Sequence, residues 1–219
     1  NRIPLNKFED FFREHRVDLS REDDLQLLKK EFNCYNMRAC DIIRDLIGFT
    51  RLEPRLPSDA KDFRAVPAIE LKPGMGREDI AAYLESKRLE SPVADLAFYA
   101  YRDLSRCDWA PFVKAAIERS PISLHQTKDL EDDQVVAWLE AKPNESIYDG
   151  TRVAQPDEVT NFGRGDGLEK ALCLANIWKA RRPEETVELV CAPDHVSLRQ
   201  GARRVEWSSA KGLKQQMSF

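Results

Sequence analysis

The stretch Pro156-Asp157-Glu158-Val159-Thr160-Asn161-Phe162-Gly163-Arg164-Gly165-Asp166-Gly167-Leu168-Glu169-Lys170-Ala171 decides the reading of this chain. Its three closely spaced glycines permit a tight backbone path. Just beyond them Leu168, Ala171, Leu172, Ala175 and Trp178 recur at helical spacing. Leu174 and Ile177 fall on other faces, so the spacing predicts a helix buried on most sides. A small anionic ligand would suit amide hydrogens at that helix N-terminus, with Arg164 assisting, which makes Arg164, Gly165, Asp166 and Gly167 the candidate binding residues. No Gly-Lys-Ser/Thr follows, so the turn is not a phosphate loop. Arg164-Gly165-Asp166 is also a cell-attachment tripeptide, but its place at the mouth of a buried helix argues against adhesion, and for the glycine turn a structural role is favoured over ligand binding.

Downstream, Val187, Leu189 and Cys191 alternate with polar neighbours. His195 to Leu198 and Arg203 to Trp207 read as strands joined across Gln200-Gly201. Upstream, helical spacing covers Leu5 to Arg13, Leu25 to Phe32 with a Ser20/Asp23 capping signal, and Ala39 to Gly48. It resumes over Arg77 to Arg88, Val93 to Leu104, Asp108 to Arg119 and Asp129 to Ala141, each closed by Pro or Ser-Pro. The expected architecture is α+β: a helical segment at 1–52, a Pro/Gly-rich connector at 53–76, a helical region at 77–145, and a core of buried helix and small antiparallel sheet at 146–219. A single domain overall is compatible with this order.

Residues 148–211 resemble the transglutaminase-like family of papain-like thiol enzymes, whose pattern is G-R-G-D-C-x-D/E-K-A-x-L-L at the start of the central helix. Arg164-Gly165-Asp166 and Glu169-Lys170-Ala171 stand where that pattern wants them. Asp194-His195-Val196-Ser197-Leu198 resembles the family's His strand, and Val205-Glu206-Trp207-Ser208 the strand that carries its Asp. The resemblance implies His195 and Ser208 as the remnants of a catalytic triad. Its nucleophile position holds Gly167, which can form no thioester, and Ser208 or Ser209 stands where a carboxylate would orient the imidazole. The expectation is a non-catalytic member that binds a ligand or serves structurally through a degenerate Gly167/His195 cleft. One alternative is an active amide hydrolase or acyltransferase using His195 with Cys191, Cys173 or Ser208. Another is a helical module that docks onto a protein or peptide partner.

Other clusters have plainer readings. The three histidines, His15, His125 and His195, lack metal-ligand spacing, so neither a metal nor a cofactor is expected. His15 reads as solvated and His125 as a loop residue. Arg21-Glu22-Asp23-Asp24 and Glu131-Asp132-Asp133 fall in first helical turns, where negative charge is favourable. Lys179, Arg181 and Arg182, near Arg199, Arg203 and Arg204, could together meet an anionic ligand or partner.

The 219 residues include 34 Lys+Arg and 38 Asp+Glu, a net charge of −4, which supplies no global field for nucleic acid. With 42% hydrophobic residues the chain can bury a core. No run reaches the roughly 18 apolar residues of a membrane span. Five dispersed cysteines without a CxxC pair suit a reducing compartment, the cytoplasm by default. Asn1 reads as a trimmed or processed end.

Overall fold

The computed structural model describes residues 5–18, 21–32, 48, 52 and 65–219. The chain divides into two compact units, Asn1–Glu53 and Pro54–Phe219. In the first, α1 (Leu5–His15) and α2 (Glu22–Glu31) are amphipathic helices. Phe11 is buried, stacks on His15 at 4.3 Å and meets Phe32 edge-on at 5.1 Å. His15 is exposed, but its ring is occupied by that stack. Helix α2 starts after an extended Arg21 that makes no side-chain cap. The expected cap Ser20, and all of the expected helix 39–48 except Gly48, lie outside the described residues.

The second unit is an α+β fold. Its described part runs α3 (Arg77–Lys87), α4 (Pro92–Tyr101), α5 (Trp109–Glu118), α6 (Pro121–Gln126), α7 (Asp132–Glu140), α8 (Pro156–Phe162), α9 (Gly167–Arg181), then β1 (Val187–Cys191), β2 (His195–Gln200), β3 (Arg203–Ser208) and β4 (Gln215–Ser218). The connector residues 65–76 form no helix or strand, and 53–64 lie outside the described residues. The Ser-Pro pairs expected as helix stops are starts. Ser91 Oγ accepts from Ala94 N–H with Pro92 in the first turn, and Pro121 stands in the first turn of α6, where Ser120 makes no side-chain cap. A proline at the first helical position loses no hydrogen bond, because that amide has no partner in any case. His125 accordingly sits in α6 rather than in a loop.

Helix α9 is buried from Gly167 through Trp178, as the all-round apolar spacing requires. It touches β1, β2 and β3 and also α5, α6, α7 and α8, so residues before and after position 145 share one core. The sheet is antiparallel in the order β3-β2-β1-β4. Strand alternation puts Val187, Leu189, Cys191, Val196, Leu198 and Gln200 in the core. The hairpin turns at Gly201, whose φ of 59° favours glycine.

Candidate functional site

The turn before α9 is a hub of internal bonds. Asp166 caps the helix: its Oδ1 accepts from Leu168 N–H (3.0 Å) and Ser209 Oγ–H (2.6 Å), and its Oδ2 from Ala210 N–H (2.7 Å). Glu169 closes the capping box, its Oε2 accepting from Asp166 N–H (2.8 Å). Its Oε1 reaches the preceding loop and accepts from Ser146 Oγ–H (2.6 Å) and Ala154 N–H (2.8 Å). Lys211 Nζ lies 3.4 Å from Glu169 and donates to Ser146 Oγ (2.9 Å), to Tyr148 O (2.9 Å) and to Arg152 O. Glu169 is 0% and Lys211 3% exposed in the side chain, a fully buried ion pair with satisfied surroundings. Gly165 N–H donates to Pro143 O (3.2 Å), Lys170 Nζ to Lys142 O (2.7 Å), and Arg164 pairs with Glu145 at 3.3 Å.

Arg164, Gly165 and Asp166 are therefore engaged within the chain. The carboxylate of Asp166 occupies the helix N-terminus where an external anion was expected to sit. Asp166 is also only 3% exposed, out of reach of an adhesion receptor. Gly167 faces the end of β3. A Cβ built there would overlap the Ser208 carbonyl oxygen and stand 2.8 Å from Trp207 Cβ. Where the resemblance would place a nucleophile there is a strand backbone.

His195 lies elsewhere. It begins β2 opposite Ser208 in the register, with its side chain 56% exposed and Nδ1 2.8 Å from Asp194 Oδ1. The neighbouring pair Val196 and Trp207 turns inward, so His195 and Ser208 share the outer face of the sheet. Strand alternation puts His195 on the outer face of the sheet, while Gly167 lies against the end of β3 beside the inward Trp207. Ser208 Oγ accepts from Asn144 Nδ2 (2.9 Å), and among the described residues no hydrogen bond joins it to His195. Bonding to His195 lowers the Asp194 carboxyl below its ordinary range.

The three thiols among the described residues are buried. Burial pushes Cys107 and Cys191 up to about 11 and Cys173 up to about 12. A thiolate is the reactive form, so these are packing residues. The expected basic patch is largely neutralised from within. Asp132 receives Arg181 (2.7 Å), Arg203 (3.1 Å) and Arg182, and Glu188 takes Arg199. Burial would raise the Asp132 carboxyl, but Arg181 and Arg182 outweigh it and hold it low. The acidic first turn of α7 thus serves as a tertiary clasp as well as a dipole partner.

A concave site absent from the sequence reading lies between α3, α4 and the turn at 149–152. It encloses about 530 Å³ over an apolar floor that includes Ile80, Leu84, Ala97 and Phe98. The turn is locked by Leu104 N–H to Thr151 O (3.2 Å), Val153 N–H to Arg102 O (3.1 Å) and Thr151 Oγ–H to Asp103 Oδ1 (2.5 Å). Two guanidinium groups sit over one ring, Arg77 at 5.3 Å and Arg152 at 4.3 Å from the Tyr101 centroid. Arg152 also lies 4.2 Å from the Tyr148 ring. Arg77 is 24 and Arg152 is 51 residues from Tyr101, and no spacing rule connects them.

Among the described residues no group of three His, Cys, Asp or Glu is placed to hold a metal, and no helix is long and apolar enough to cross a membrane. Comparison with protein-family models, curated protein sequences and solved structures finds no match for this chain.

Proposed function

We propose that this chain is a non-catalytic module with a transglutaminase-like half, which binds a ligand or partner and does not turn one over. The observation that supports this reading most directly is the contact of Gly167 with β3. A side chain at that position would collide with the Ser208 carbonyl, which supports a site without a nucleophile there, one that a single substitution to Cys would not restore. The three described cysteines support it as well, since each is buried and its thiol is raised. The loop that would carry catalysis instead staples the strand end, the loop at 144–154 and α9 together.

The test is time-resolved alkylation of the native protein with dilute iodoacetamide, mapped to all five cysteines, beside assays on peptide amides. No thiol should react faster than an unactivated one, and no amide should be turned over. A hyper-reactive cysteine slowed by His195→Ala, or amide hydrolysis lost in that variant, would overturn the reading.

A further inference from the structure

We propose that the cavity between α3, α4 and the turn at 149–152 binds an amphipathic monocarboxylate, an alkyl or aryl acid with its carboxylate on Arg77 and Arg152. The inference rests on the reading that the chain works by binding, and it names the ligand class. Each guanidinium group is held over the Tyr101 ring, and Arg77 also donates to the Tyr101 hydroxyl while Arg152 Nε donates to Tyr101 O at 3.0 Å. Neither has a carboxylate within ion-pair distance among the described residues. The third arginine of the rim, Arg106, is paired with Asp103 at 3.7 Å.

A guanidinium presents its donors in a plane, which matches the two oxygens of a carboxylate better than a point charge does. Stacking on Tyr101 orients both groups before a ligand arrives, so less ordering remains to be lost on binding. The floor takes the rest of the molecule: Ile80 and Leu84 from α3 face Ala97 and Phe98 from α4, and apolar atoms dominate the exposed lining. A cavity of about 530 Å³ lies within the size range of small-molecule sites, and an apolar wall with a few convergent polar groups is their usual composition. Glu78 and Asp149 on the same rim offset the charge of Arg77 and Arg152, so the rim carries no surplus positive charge, which disfavours polyanions such as nucleotide phosphates; what it offers a single carboxylate is the donor geometry of the two guanidinium groups.

The test is calorimetric titration of the full chain with sodium octanoate, 4-phenylbutyrate and the neutral control 1-octanol, with p-nitrophenyl octanoate hydrolysis followed in parallel. At least one acid should bind at a single site, the preferred one telling an alkyl from an aryl pocket. Arg77→Gln and Arg152→Gln should each weaken the acid by about tenfold or more and leave 1-octanol unchanged. Ala81→Trp should fill the floor and abolish binding of acid and alcohol alike. If that variant does not fold, as read from its thermal transition, Ala97→Leu takes its place. Absence of binding at millimolar acid, or acid affinity indifferent to both arginine variants, overturns the proposal. Ester hydrolysis with octanoate binding intact would instead overturn the non-catalytic reading and leave the pocket standing.

Discussion

The carbonyl of Ser208 lies directly against the α-carbon of Gly167, so that the last residue of β3 closes the N-terminus of the buried helix. Asn144 Nδ2 donates to the same carbonyl at 3.0 Å and holds the strand end in place. The contact joins helix, strand and the loop at 144–154, and it requires glycine because of a close approach of backbone to backbone.

Gly167→Ala and Gly167→Cys are therefore expected to destabilise the protein by about 1–3 kcal/mol or more, since β3 or α9 must shift to admit a Cβ. Urea unfolding of both variants measures this. The cysteine variant should gain no activity, and a stable Gly167→Cys protein with a reactive thiol would contradict the account of this contact.

Lys211 and Glu169 form an ion pair hidden from water, and removing one partner leaves the other charged and buried. Lys211→Met is expected to cost about 3–5 kcal/mol. Adding Glu169→Gln should recover part of the loss, and a double-mutant cycle reads the coupling between the two.

Glu158 gives stability a pH dependence. Burial works to raise its carboxyl, but the hydrogen bond from Arg102 and those from Gln155 N–H and Tyr148 Oη–H outweigh it and hold it below 4.5, its ordinary value. A carboxyl depressed in the folded state stabilises fully above its unfolded value and loses that contribution as the pH falls through the folded one. Stability should thus decline below about pH 4.5. Glu158→Gln should be less stable at neutral pH with a shallower decline in acid, which unfolding curves across pH 3–7 would show.

His195 sits on the open outer face of the sheet, where its substitution removes little packing. His195→Ala is expected to change stability by no more than about 0.5 kcal/mol. Octanoate binding should be unchanged, because His195 is not among the residues that line the cavity. Urea unfolding and calorimetry on this one variant check both.

Apolar spacing alone located the helices of the α+β unit that run about three turns or more, and turn chemistry located the hairpin at Gly201. Periodicity reports which residues face a core, and α3, α4, α5, α7 and α9 follow it to within a few residues. Helices α6 and α8 are only six and seven residues long, too short for a period to register. Strand β4, Gln215–Ser218, has little strand propensity and exists because the open edge of β1 pairs with it. The loop Arg164–Lys170 was legible as special but not in its role. Only the fold brought Ser209, Lys211 and Ser146 to its carboxylates, from 43, 42 and 23 residues away. Strand alternation, once the register was set, turned His195 outward while Trp207 turned in. Which residues meet across such distances depends on how helices and sheet pack around one core, and no local pattern encodes that. The arginine pair over Tyr101 comes from the same cause.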